Sequence, residues 1–139
     1  MKKFRTLKIF LIVIVIITLG IYLFNEYDKR HLLTNGVLHL KENPYTLKIV
    51  NCETFGISDF RAEYYILIDK NDIPKLLKGR KYSFTSDPQG YFKSWATGSV
   101  HPEFQADTCY TSGSTWHDGL VNIFVSKNRS EVYIVYDVQ

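Results

Sequence analysis

Sixteen residues near the N-terminus, Ile9 to Phe24 (IFLIVIVIITLGIYLF), carry no charge and almost no polarity, and they constrain the fold more tightly than any other stretch. In water so many β-branched side chains would favour a strand. In hydrocarbon, a lone segment satisfies all its backbone polar groups only as a helix. Leu7 and Asn25 extend the low-charge span to about the length needed to cross roughly 30 Å of lipid at 1.5 Å per residue. Lys2, Lys3, Arg5 and Lys8 lie on its N-terminal side. The positive-inside bias therefore predicts a cytoplasmic N-terminus and export of the chain from Asn25 onward. A basic leader before an apolar run also describes a cleavable secretory signal, with Thr18-Leu19-Gly20 supplying small residues at the cleavage spacing. Ile21, Tyr22, Leu23 and Phe24 continue the apolar run past that site, which favours an uncleaved anchor, and no cysteine follows to take a lipid.

This reading divides the chain into a basic leader (1–8), a transmembrane anchor (9–24), a juxtamembrane linker (25–35) and one extracytoplasmic domain (36–139). The expected location is a bacterial inner membrane, crossed once, with the domain in the periplasm or outside the cell. The leader holds four of the 17 Lys and Arg, which leaves 13 against all 14 Asp and Glu, so the exported part carries −1. A nearly neutral domain lacks the clustered basic face that nucleic-acid binding requires. Aromatics at 15%, including 10 Tyr and 9 Phe, favour sheet over helix. The expected fold is α+β: a small, mainly antiparallel sheet with one short helix. Cys52 and Cys109 are the only cysteines. Both follow the anchor, in what should be an oxidising compartment, and are expected to form a disulfide.

Along the domain, Val37 to Leu40 and Tyr45 to Val50 read as short strands around the turn Lys41-Glu42-Asn43-Pro44. Glu63 to Ile68 is apolar on both faces and reads as a central strand covered on each side. Asp72 is placed to cap a short helix with Pro74 in its first turn, Leu76 and Leu77 inward and Gly79 at its end. Around it Lys70, Lys75, Lys78, Arg80 and Lys81 make the most basic neighbourhood, with the composition of a solvated face near anionic headgroups. Lys81 to Thr85 alternates as a strand, Asp87-Pro88-Gln89-Gly90 reads as a turn, and another strand is expected to begin at Tyr91. Leu120 to Ser126 and Glu131 to Asp137 form a hairpin around Lys127-Asn128-Arg129-Ser130. The triplet Asn128-Arg129-Ser130 also fits a glycosylation acceptor.

Ser94 to Gly119 shows no sustained period and is rich in Ser, Thr and Gly, and an insert of this kind in a small domain is functional or disordered. Its aromatics argue against disorder. No Lys or Arg occurs from Ser94 to Ser126. The segment therefore predicts an acidic, aromatic recognition surface, with Trp95, His101, Glu103, Asp107, Tyr110, Trp116, His117 and Asp118 as partner-binding residues. His101, Glu103, His117 and Asp118 lack a recognised metal-ligand spacing, so no metal is expected. No nucleophile elbow accompanies the histidines, so neither a catalytic residue nor a cofactor is expected. The function these features predict is capture of another protein, as an inhibitor or immunity protein against an envelope-acting toxin. An accessory subunit of an envelope complex is the alternative, although Gly20 has no small-xxx-small partner in the anchor. A small extracytoplasmic enzyme is the third reading.

Overall fold

Strands with apolar side chains on both faces are stable only when each face is covered, and the runs around Tyr64, Phe124 and Ile134 require that arrangement. The computed structural model describes residues 2–56, 60–113 and 118–138, with side chains from Leu7 onward. It divides into two units, Met1–Leu33 and Thr34–Gln139. The first is α1 (Lys2–His31), which continues as a π-helical stretch over Leu32–Val37. From Leu7 to Val37 this helix is long and apolar enough to cross a membrane, and its most apolar window is entirely exposed. An anchor and a signal sequence share that character.

The second unit is an α+β domain built on six antiparallel strands: β1 (Lys48–Phe55), β2 (Arg61–Leu67), β3 (Tyr82–Thr85), β4 (Ala106–Ser112), β5 (Leu120–Ser126) and β6 (Glu131–Asp137). They run in the order β1-β2-β6-β5-β4-β3, so β6 and β5 are central. The β5–β6 hairpin has the expected bounds, and its turn is braced by Asn128, whose amide oxygen accepts from Ser130 N and from the Ser126 hydroxyl. Across one face lies α3 (Pro88–Trp95). Its Phe92 packs with Val100, Phe104, Cys109, Phe124, Tyr133 and Val135. The other face carries Tyr64, Ile66, Ile123, Val125, Val132 and Ile134, all buried. Arg80 lies over the Tyr136 ring on that side and donates to Val37 O at 2.6 Å and Gly119 O at 3.0 Å. This places the stretch around Val37–Leu40 on that second face, and the short α2 (Ile73–Leu76), with Ile73 and Leu76 buried, precedes Arg80 in the chain.

Several expectations give way here. Val37, Leu38 and Leu40 are buried and His39 is exposed, and none is paired as a strand; Val37 closes the π-helical stretch. The strand expected over Tyr45 to Val50 runs from Lys48 to Phe55, and Tyr45 is almost fully exposed. Asp72 precedes α2 without capping it: its carboxylate accepts from the Thr46 hydroxyl at 2.7 Å and pairs with Lys75 at 2.6 Å. Gly79 does not end the helix, which stops at Leu76 with Leu77 as its C-cap; it is needed for close approach, because a Cβ there would lie 1.9 Å from Leu38 O. Asp87-Pro88-Gln89-Gly90 opens a helix, and no strand begins at Tyr91: the Asp87 side chain accepts from Gly90 N at 3.0 Å, and Pro88 sits in the first turn. Tyr91, Phe92 and Trp95 then fall on one side at helical spacing.

The expected disulfide is absent. Three strands separate β1 from β4, so Cys52 and Cys109 stand four strand spacings apart, about 19 Å against a disulfide reach of about 7 Å. Register also puts them on opposite faces. Cys52 is in line with Tyr64, Ile134 and Ile123, whereas Cys109 is in line with Phe124 and Tyr133. Burial pushes the Cys109 thiol up to about 11, against a weaker opposing bond with Thr85.

Candidate functional site

The structure breaks the supposed insert from Ser94 to Gly119 into parts with different neighbours. Its middle is β4, an inner strand hydrogen-bonded to both β3 and β5. Trp95 ends α3 half-buried against Tyr91, with ring centroids 5.9 Å apart, and its carbonyl accepts from Arg61. Tyr110 lies on the opposite face of the sheet from Cys109, with its ring 6.1 Å from that of Phe84. The side chain of Asp118 pairs with Arg80 and stands 3.6 Å from His39 Nε2. Trp116 and His117 lie outside the described residues. Trp95, Tyr110 and Asp118 are thus engaged with the domain itself, whereas His101, Glu103 and Asp107 stay near one end of the sheet.

That end holds a depression of about 350 Å³, lined by His101, Glu103, Phe104, Gln105, Ser126, Lys127, Asn128 and Glu131. Its position follows from the chain path. Phe104 is drawn into the core under α3, with its ring 5.3 Å from Phe92, so the flanking His101 and Glu103 are left at the surface. The His101 ring stands edge-on to Tyr65 at 4.4 Å. Tyr65 donates to Glu131 Oε1 at 2.7 Å, and Asn128 Nδ2 donates to Oε2 at 3.2 Å. Burial, then the bond to the Glu131 carboxylate, push the Tyr65 phenol up to about 12. Glu103 and Lys127 are exposed at the rim. Asp107 is the bulged residue of β4, next to Ala106, which pairs with Ser126 on the depression's floor. The Ser126 hydroxyl is committed to Asn128, and so is not presented as a nucleophile. Among the described residues no three His, Cys, Asp or Glu side chains group as a metal site. Two carboxylates beside an imidazole edge suit hydrogen bonds from a cationic or amide donor.

Sequence reasoning missed the carboxylate with the most partners. Glu63 is fully buried, yet it accepts from Arg61 Nε at 3.1 Å and Nη2 at 2.8 Å, from Thr97 N and Oγ1 at 2.9 Å each, and from the Tyr133 hydroxyl. Burial alone would raise its pKa. The donors from Tyr133, Thr97 and Arg61 outweigh burial and hold the carboxyl below its usual range. Arg61 also reaches Asp137 at 3.7 Å. The network fastens the segment after α3 to the sheet, and so sets the course of the chain toward His101 and Glu103. The only sequence signal was a lone acid at the start of an apolar strand.

Comparison with protein-family models, with curated proteins and with solved structures finds no match to this chain.

Proposed function

We propose that this chain is a membrane-anchored, extracytoplasmic protein-binding domain, and within that class an inhibitor or immunity protein against a toxin that acts at the cell envelope. The observation that carries the reading is the helix from Leu7 to Val37, whose most apolar window buries nothing against the protein. An exposed apolar surface of that size is stable in lipid and a liability in water. The leader charges set the domain outside the cytosol, in a bacterial periplasm or beyond. Capture of a protein is favoured over turnover of a small substrate by the character of the His101–Glu131 depression. The His101 ring stands against Tyr65 and Phe104, the Glu131 carboxylate is held by Tyr65 and Asn128, and exposed Glu103 and Asp107 stand beside them, an arrangement suited to a partner's basic side chain.

Site-specific photo-crosslinking in intact cells tests this. A crosslinker at Glu103 or Asp107 should trap a partner whose contacting surface is basic, and one at Thr54, on the far edge strand, should not. Equal adducts at all three positions, or adducts only from within Ile9 to Phe24, would point instead to a subunit held by its anchor.

A further inference from the structure

A second concavity, of about 330 Å³, lies in the Thr34–Gln139 unit and is lined by His39, Leu40, Lys41, Glu42, Lys75, Lys78 and Gly79. The basic run seen in the sequence divides around it. Arg80 turns inward, its side chain only 5% exposed, to hold Asp118 and the backbone at Val37 and Gly119. Lys75 is shared with Asp72. Among the described residues Lys41 and Lys78 form no ion pair, and both are exposed. Three ammonium groups therefore border the concavity, with Glu42 on its lining and Asp72 bonded to Lys75, which leaves Lys41 and Lys78 in excess.

Its walls are built in advance. His39 holds the left-handed conformation, with φ of 54°, a costly backbone state for a residue with a side chain. Its ring is 3.3 Å from Arg80 Nη2, and Gly79 lets the facing backbone close onto Leu38 and His39. A size of about 300 Å³ or more is in the range of small-ligand sites.

We infer that this concavity binds a phosphate-bearing anion, with Lys41 and Lys78 as its principal contacts and Lys75 as the third. Lysine suits phosphate as a compact point charge. The proposal is independent of the partner-capture reading. Two sources share the chemistry. One is a phospholipid headgroup, since His39 follows the end of the anchor-bearing helix by two residues. The other is a soluble phosphate compound, since α1 alone continues from Phe24 to His31, about 10 Å beyond the apolar run at 1.5 Å per residue.

The test uses the full chain, isotope-labelled, in phosphatidylcholine nanodiscs, with amide shifts followed at 39–42 and 75–79. Added inorganic pyrophosphate should shift these resonances saturably, and K41A/K78A should weaken that binding roughly tenfold or more. Replacing part of the phosphatidylcholine by phosphatidylglycerol should produce the same shifts without pyrophosphate if the headgroup is the source. It should produce none if the ligand is soluble. Both lysines are exposed, so the double variant should keep the wild-type spectrum elsewhere. No saturable shift from either probe, or equal shifts in wild type and K41A/K78A, would overturn the site.

Discussion

Tyr133 and Tyr64 are fully buried tyrosines on adjacent strands, and the two faces of the sheet treat them in opposite ways. On the α3 face the Tyr133 hydroxyl donates to Glu63, at the centre of a carboxylate network whose other donors come from Arg61 and Thr97. On the other face the Tyr64 hydroxyl has no hydrogen-bond partner among the described residues. Burial pushes both phenols far up, but only Tyr133 has the Glu63 bond as a second cause. The contrast shows how each cover is held. One face fastens an irregular segment to a buried carboxylate, whereas on the other Arg80 holds the backbone at Val37 and Gly119 and the Tyr64 hydroxyl stands outside any such network.

The largest expected effect follows from removing the centre of the network. Glu63→Ala leaves Arg61 near Asp137 without its main partner and the Tyr133 hydroxyl without an acceptor, and should cost about 3–5 kcal/mol in denaturant unfolding of the full chain in detergent. Glu63→Gln keeps the shape and loses the charge, and should cost about 1–3 kcal/mol. It should also change the acid response. Because the folded carboxyl titrates below its ordinary value of 4.5, its contribution is complete above that value and is lost as pH falls through the folded pKa. Wild type should therefore lose stability on acidification more steeply than Glu63→Gln. Parallel profiles would show that the network is not ionic.

Next comes the aromatic support that leads into the network. Trp95→Ala should lower stability by about 2 kcal/mol, or roughly 8–16 °C in melting temperature for a domain of this size. Its ring packs against Tyr91, and its carbonyl holds Arg61. A variant with unchanged melting but faster partner dissociation would return Trp95 to the recognition surface that sequence reasoning gave it.

How much of this was legible in the sequence depended on the range of the determining contacts. The β5–β6 hairpin is local: two dense apolar runs and a polar turn fix it without reference to the rest of the chain. β4 was invisible because Asp107, Thr108, Thr111 and Ser112 dilute its alternation; it is a strand because β3 and β5 pair with it. α3 was hidden by Asp87-Pro88-Gln89-Gly90, which suits a turn as well as a capped helix start. Glu63 could not be read as a centre, because its partners Thr97 and Tyr133 lie 34 and 70 positions away. The disulfide failed for the same reason: an even cysteine count says nothing of strand order or facing.

The sharpest test of the contrast between the faces is a pair of single-oxygen deletions. Tyr133→Phe removes a donor from a buried carboxylate and should cost about 1–3 kcal/mol. Tyr64→Phe removes a buried hydroxyl without a partner, and should be neutral within about 0.5 kcal/mol or slightly stabilising. Equal losses would mean that the Tyr64 hydroxyl is satisfied in the native protein, as the Tyr133 hydroxyl is.

The smallest effect on stability is expected where the fold asks least of the side chains. Glu103 and Asp107 are exposed beside the His101 depression, and Asp107 sits on a bulge that frees it from sheet pairing. Glu103→Gln with Asp107→Asn should therefore leave unfolding unchanged within about 0.5 kcal/mol. If the depression receives a basic partner, the same double variant should slow association several-fold at low salt and flatten its salt dependence, because rim charges act on encounter more than on residence. Dissociation should stay near the wild-type rate. The control is Asp118→Asn, which weakens the Arg80 bridge within the domain and should lower stability without changing the salt dependence of association. Measured together, the two variants separate charge that serves recognition from charge that serves the fold. An unaltered association rate for Glu103→Gln with Asp107→Asn at every salt concentration would remove this end of the sheet from the partner's path.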